Sequence, residues 1–468
     1  MRRFVTPENR KWWTLAAVSV GLFMIMLDNT VVNVALPAMK RSLHMSLSEL
    51  EWVVAGYALT FAALMLTGGK LADFLGRRLV FMLGLAVFTG SSLACGLAPN
   101  GGFLIGARVV QGLGGALMNP ATLSIVTATF PPRERGKAIG IWAGVSAMAL
   151  AIGPLVGGLL TEHVNWNWIF FINVPVGALG LVAIPVFIEE SRDQSAEQRL
   201  DVPGLAASAL GLFSLTYAFI EANNYGWGSG RILGAFAVAA VSLAAFLLLE
   251  RHQRVPMLDL ALFRHRTFSG ANGAMLFVGL AMFGTFFYVS LYMQNVLHYS
   301  PVQAGASFLP MTCLVILIAP RAGALADRFG SRWLVGGGMT LLAAMLLYYS
   351  QLGADEPFWK LIPGLLLGGV GMGSTMTPVT AAAMSAVSVD KAGVGSAVLN
   401  SSRQVGGSVG IAVMGSIVTG ASTYLGGFHD ALRVGAILCV AGAALAAVAI
   451  RKVEHPHHAA DAPALEAG

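Results

Sequence analysis

Apolar runs long enough to cross a lipid bilayer recur along this 468-residue chain, and they bound what it can fold into. They fall near 12–34, 51–71, 79–98, 102–123, 138–160, 166–188, 203–221, 231–249, 268–296, 303–321, 332–351, 358–380, 395–419 and 431–450. A helix rising 1.5 Å per residue needs about 20 apolar residues to cross a hydrocarbon core of about 30 Å. The chain therefore reads as an all-α polytopic membrane protein with fourteen spans, runs 1 to 14. Runs 7 and 8 fit either two full crossings or one re-entrant hairpin. Two crossings are preferred, because each run is uncharged for most of a span. Composition agrees. Only 11% of the residues are charged, against about 25% in soluble domains, so lipid must cover the surface that charges would otherwise solvate.

The net charge of +6 is not a nucleic-acid signature, because the basic residues sit in short clusters between apolar runs rather than in a stripe with interleaved aromatics. With the N-terminus placed in the cytoplasm, 22 of the 29 basic residues fall on the cytoplasmic side, five fall outside, and Arg108 and Arg403 lie within spans. The opposite orientation breaks the positive-inside rule at nearly every loop. Eight of the nine tryptophans, Trp142 excepted, lie at span ends, as an interfacial belt requires. The expected location is the cytoplasmic (inner) membrane, with both termini in the cytoplasm. Met1-Arg2-Arg3 followed by an apolar run superficially resembles a signal peptide. That run carries Asp28 and no small-residue cleavage site, so it reads as a retained first span. The three cysteines, Cys95, Cys313 and Cys439, are far apart inside apolar runs and read as packing residues, with no metal site expected.

The loops leave no room for a soluble catalytic domain, and no enzyme activity is expected. Gly68-Gly69-Lys70 is followed by Leu71, and Gly369, Gly371 and Gly373 lie inside run 12, so neither makes a phosphate loop. No cofactor is expected, and active transport would have to draw on an ion gradient. The chain also repeats itself. Gly69 to Arg78 after run 2 and Gly323 to Arg332 after run 10 share the pattern G-x-L-A-D-x-x-G-x-R, and Pro120 in run 4 is echoed by Pro378 in run 12. Two halves follow: a six-helix bundle over 1–190, an inserted helix pair with its linkers over 191–267, a second six-helix bundle over 268–451, and a cytoplasmic tail over 452–468. Repeated halves suit a transporter whose substrate site lies between them at mid-membrane.

Four motifs carry a resemblance to a known family: Leu27-Asp28-Asn29-Thr30-Val31-Val32-Asn33-Val34-Ala35-Leu36-Pro37 in run 1, the repeated loop, Arg108-Val109-Val110-Gln111-Gly112 in run 4, and Gly144 through Gly153-Pro154-Leu155-Val156-Gly157-Gly158 in run 5. On these the chain resembles the fourteen-spanner drug/proton antiporters of the major facilitator superfamily. The resemblance implies that Gly144, Gly153, Pro154, Gly157 and Gly158 form the antiporter motif. It also implies that Gly69, Asp73, Gly76, Arg77 and Arg78, with Asp327 and Arg332 of the second copy, form a latch that stabilises one conformation. The plainer reading of that loop is a positive-inside anchor. Its two glycines permit a tight turn, Asp73 can cap or face a helix N-terminus, and Arg77 and Arg78 can pair with it or stay in the headgroup region. Gly-Pro-x-x-Gly-Gly in run 5 is expected to bend the helix. Some relatives carry a second acid in run 12; Ser374, Thr375 and Thr377 stand there instead.

Asp28 and Arg108 are the strongest candidates, since an ionisable group within a span is costly and marks function by default. Asp28 lies ~24 Å from the cytoplasmic end of run 1, and Arg108 ~9 Å from the outer end of run 4, at 1.5 Å per residue. Those depths place them at one level of a core about 30 Å thick, where they can pair. They read as the proton-coupling pair or as a permanent salt bridge between two helices. Asn33, Gln111, Asn119, Gln294, Asn295, Asn400, Arg403 and Gln404 either line a substrate cavity or bond neighbouring helices. Met24, Met26, Phe283, Phe286 and Phe287 would give that cavity adaptable apolar walls. Glu221 reads as solvated near the outer end of run 7. His455, His457 and His458 read as part of a disordered end rather than a metal site. The function expected is proton-coupled export of small lipophilic compounds, neutral or singly charged, by a protein working as a monomer. The rivals are a symporter on the same fold and a membrane receptor without flux.

Overall fold

Helix termini leave backbone N–H groups unsatisfied, and the computed structural model shows where this sequence supplies the missing acceptors. It describes residues 7–192, 201–253, 256, 258–387 and 392–451. The helices are α1 (Pro7–Leu43), α2 (Leu47–Leu75), α3 (Arg77–Gly96), α4 (Gly101–Thr129), α5 (Pro132–His163), α6 (Trp168–Phe171), α7 (Asn173–Phe187), α8 (Val202–Tyr225), α9 (Gly230–His252), α10 (Arg266–Asn295), α11 (Pro301–Ser307), α12 (Leu309–Phe329), α13 (Ser331–Tyr349), α14 (Ile362–Ser385), α15 (Ala392–Gly420) and α16 (Tyr424–Ala449). Short 3-10 turns precede α10 and α14. Among the described residues there is no β-strand. Ser46 with Glu49 and Ser300 with Gln303 form capping boxes, and Asn100, Asp201, Ser229 and Thr423 each accept from a first-turn N–H. Gly76 (φ 122°) and Gly330 (φ 87°) make the sharp α2–α3 and α12–α13 turns in a conformation that disfavours any β-carbon. These are the glycines that the repeated loop motif shares.

Eleven helical segments among the described residues are long and apolar enough to cross a membrane, with α6–α7 and α11–α12 each counted as one. Helices α13, α14 and α15 have the length, 19, 24 and 29 residues, but carry glycine and polar residues that dilute their hydropathy. The tenth apolar run is broken at Phe308, two residues before Pro310, and the sixth is broken at Ile172. Helix α5, by contrast, continues through Pro154 without interruption.

The two ends of the bundle can be told apart by their turns: the distal end carries the α1–α2 turn and the proximal end the α2–α3 turn at Gly76. The buried apolar residues divide along this axis. One cluster joins the distal parts of α1, α2 and α4 (Val31, Leu36, Val53, Leu104) to the interior of α10 and α13 to α16 (Phe287, Leu346, Leu365, Ile411). A second gathers the proximal parts of α1 to α4 (Leu22, Phe61, Phe81, Met118) with Ala138 and Ala149 of α5 and Ile184 of α7, and includes only Ala397 from α8 onward. Helices α1, α2 and α4 thus share one core with α10 and α13 to α16 at the distal end, while at the proximal end the earlier helices keep a core of their own. Helices α8 and α9 pack on each other, with α8 also lying along α2 and α15.

Candidate functional site: a buried ion pair and the seam between the halves

Asp28 on α1 and Arg108 on α4 meet. Arg108 Nη1 donates to Asp28 Oδ2 at 2.5 Å, and the two side chains are 1% and 0% exposed. Helix α4 is started by Asn100, whose side chain accepts from Phe103, and this sets Arg108 two turns inside. The pair sits within a polar network. Gln111, one turn beyond Arg108, donates through Nε2 to Asp28 Oδ1 (3.0 Å) and to Ser92 Oγ (2.7 Å). Its Oε1 accepts from Arg108 Nη1 (2.7 Å). Arg108 Nε donates to the Val53 carbonyl of α2 (3.1 Å). The guanidinium carbon lies 4.2 Å from the centre of the Tyr57 ring, a cation–π contact. Four helices therefore hold one buried carboxylate, and its charge is balanced only while Arg108 stays in place.

Of the two readings of Gln111, the contacts show the second: fully buried, it bonds neighbouring helices at the ion pair. Helix spacing explains this, since i and i+3 share a face. Thr30 and Val31, close to Asp28, meet the glycines of α5. A β-carbon at Gly157 would lie 2.6 Å from the Val31 carbonyl, and one at Gly153 would collide with Thr30. Gly158 meets Pro301 of α11 in the same way, and Glu162 Oε2 accepts from the Val302 N–H (2.8 Å). The four clustered residues of this motif are thus the surface on which α5 touches both α1 and α11. Gly144, two turns earlier, faces open space. These contacts are close packing of α5 on its neighbours.

In the 69–78 loop, Arg77 pairs with Asp73, its Nε and Nη2 both 3.0 Å from Oδ1. The side chain that accepts from the α3 N-terminus is not Asp73 but Glu190, just after α7, which accepts from Arg78 N (3.0 Å) and Leu79 N (3.1 Å). Arg78 pairs with Glu190, not Asp73 (3.8 Å). Lys70 Nζ donates to the Pro256 carbonyl at 2.6 Å. In the second copy, Arg332 is exposed and stacks beside Trp333, its guanidinium carbon 4.9 Å from the ring centre. The side chain of Asp327 and the histidines 455, 457 and 458 lie outside the described residues.

The remaining polar residues are dispersed. Gln294 donates to the Val34 carbonyl across the halves (2.9 Å), and Asn33 accepts there, through its own carbonyl, from Ser290 Oγ (3.0 Å). Asn295 is exposed. Asn400 bonds its own helix at Ser396 (3.1 Å). Asn119 and Gln404 are buried, and Arg403 is half-buried with Nε lacking a hydrogen-bond partner. Met24, Met26 and Phe287 are buried in the core. An apolar pocket of about 200 Å³ lies between α2 and α8, beside Thr60, Leu64, Leu205 and Phe213, and none of the dispersed polar residues lines it.

A residue the sequence reading did not single out completes the seam. Glu51, placed at the edge of the second run, is 1% exposed and accepts from the Tyr288 hydroxyl of α10 at 2.6 Å. Glu51 is therefore an acid buried within a span, as Asp28 is. The Ser46-x-x-Glu49 capping box was the available signal: it starts α2 at Leu47 and sets Glu51 a full turn inside the helix.

Comparison with known proteins gives the frame for these contacts. The family model described as Major Facilitator Superfamily matches residues 18–411. The chain is 40% identical over 411 residues to the tetracenomycin C resistance and export protein of Streptomyces glaucescens, covering 88% of this chain and 76% of that one. It is 38% identical over 408 residues to the multidrug resistance protein Stp of Mycobacterium tuberculosis, covering 86% and 75%. Among solved structures, a peptide transporter crystallised with sulfate superposes with a TM-score of 0.69 at 14% identity, over 96% of this chain and all of that one. That likeness speaks to the fold.

Proposed function

The chain belongs to the major facilitator superfamily, and from that membership we propose that it is a proton-coupled antiporter exporting small lipophilic compounds by alternating access. The relatives named for antibiotic export and multidrug resistance support export and a broad substrate class. The observation that carries proton coupling is the buried Asp28–Arg108 pair. A carboxylate taken out of water is costly unless paired, and breaking such a pair leaves an uncompensated charge worth about 3–5 kcal/mol. Any movement of α4 against α1 that withdraws Arg108 therefore makes Asp28 take up a proton, and its return expels that proton. Asp28 is the proton carrier in this scheme, and Arg108 and Gln111 set when it binds and releases.

Helix α5 gives the scheme a route to the substrate path. Its glycine edge packs on the residues next to Asp28 and on α11 of the other half. In this reading there are fourteen spans, the N-terminus is cytoplasmic, and the protein works as a monomer in the cytoplasmic membrane. The division into two bundles at 190 and 268 belongs to the same proposal. With that orientation the distal end is the outer end, so the shared distal core corresponds to a state closed to the outside. The 69–78 loop, tied to Asp73 and Glu190, is the latch at the cytoplasmic face. The test is proton flux in inside-out vesicles carrying an imposed gradient, challenged with cationic, neutral and anionic lipophiles. Discharge by members of the panel is the expected result; a gradient that no compound discharges overturns the antiporter reading.

A further inference from the structure

Glu51 stands apart from the Asp28 network and lies on the seam between the halves. Its carboxylate faces Tyr288 of α10, itself fully buried, and Tyr424 of α16 donates to the Tyr288 carbonyl at 3.5 Å. From α15 it meets the bare backbone of Gly415, where a β-carbon would collide with the carboxylate. From α8 the charged neighbour is Glu221, a like charge. On its own helix, Glu49 is turned to Ser46. Arg108, which reaches the Val53 carbonyl, is paired with Asp28. Among the described residues no Lys, Arg or His forms an ion pair with Glu51.

We propose that Glu51 is a second proton-binding site, independent of Asp28, and that its protonation closes the seam between the halves at the distal end. One tyrosine hydroxyl cannot balance an ionised carboxylate removed from water, and a group so placed neutralises instead. The closed seam therefore holds the neutral acid, with Tyr288 donating to its carbonyl oxygen. When the halves part at this end, water reaches the carboxyl and it ionises as an exposed glutamate does. The charge then opposes reclosure until a proton is taken from the medium at that end. That this medium is the outside rests on the orientation proposed above; the pH response of the seam does not.

The experiment uses the full chain in lipid nanodiscs with Asp28→Asn as background, so that the ion pair cannot supply the response and transport is not the readout. Cys313→Ser removes the one exposed native thiol, Cys95 and Cys439 being buried. Spin labels on Arg41→Cys and Asp355→Cys, both exposed at the distal end of opposite halves, report the gap by electron–electron distance. A one-proton linkage predicts that the closed-to-open ratio rises up to tenfold per unit fall in pH. Glu51→Gln should hold the short distance from pH 5 to pH 8. A pH response that is missing in the background, or that Glu51→Gln leaves unchanged, overturns the proposal. Should Glu51→Gln not be recovered folded, Tyr288→Phe keeps the carboxyl and removes its donor. That variant should move the midpoint to lower pH, and an unmoved midpoint counts equally against the idea.

Discussion

At the scale of single residues, the question is what each partner of Asp28 supplies. Hydropathy and the 1.5 Å rise put Asp28 and Arg108 at one depth. The contact itself, with Gln111 and Ser92 beneath it, required the packing of α1, α3 and α4. Asp28→Asn keeps hydrogen-bonding groups of the same shape but removes the charge that balances Arg108. We expect insertion to persist, stability to fall by about 3–5 kcal/mol, and proton-driven accumulation to drop to background. Accumulation against a gradient at the wild-type level would count against the assignment. Arg108→Lys is a sharper probe. An ammonium cannot reproduce the fork that reaches Asp28, Gln111 and the Val53 carbonyl together. Export should fall at least tenfold even though the charge is kept, with a shifted pH optimum. An unchanged pH profile would reduce Arg108 to a structural anchor.

At the scale of elements, the loop between α2 and α3 shows a device shared with a residue far away in sequence. Glu190 closes the start of α3 by accepting two backbone N–H groups, a capping role with a typical worth of about 1 kcal/mol. In the latch reading, Glu190→Ala and Asp73→Asn both shift the equilibrium between conformations, by roughly fivefold for about 1 kcal/mol. The rate should change by a similar factor for every substrate, measured as initial efflux over a panel. A reshuffled substrate profile at constant overall rate would place the loop in substrate selection instead. Sequence could show the repeat and its glycines, because Gly76 and Gly330 carry a local conformational demand. It could not show Glu190, which lies outside the motif and reaches α3 only through the docking of α7.

At the scale of the whole molecule, charge balance in the membrane limits what can be carried. Among the described residues Asp28 and Glu51 are buried within the spans, and Glu250 is buried at the proximal end of α9, where it accepts from the Leu258 N–H. The first is paired with Arg108 and the second sealed under Tyr288. Neither is free to balance a dication, and Arg403 adds positive charge between them and the proximal end. Unpaired buried charge is costly, so neutral or singly charged lipophiles should be preferred. Two amphiphiles differing only in carrying one or two quaternary ammonium groups test this by competition in the vesicle assay. Equal or faster export of the divalent member would overturn it.

The sequence by itself determined the class of solvent, because spanning length and charge scarcity are properties of contiguous residues. It also determined the family, because the motifs are local strings with local backbone demands, and it set the depth of Asp28 and Arg108, because helix rise converts position into height. Only the tertiary structure decided which polar residues meet. Gln111 joined the ion pair, Gln294 and Asn33 became seam contacts, and Glu51 went beneath Tyr288, because those outcomes depend on which helix faces which, and hydropathy is blind to that rotation. The shared core at the distal end and the earlier helices' own core at the proximal end were likewise decided by packing. The same spans can meet at either end, and which contacts are made depends on side-chain fit across a seam that no single helix contains.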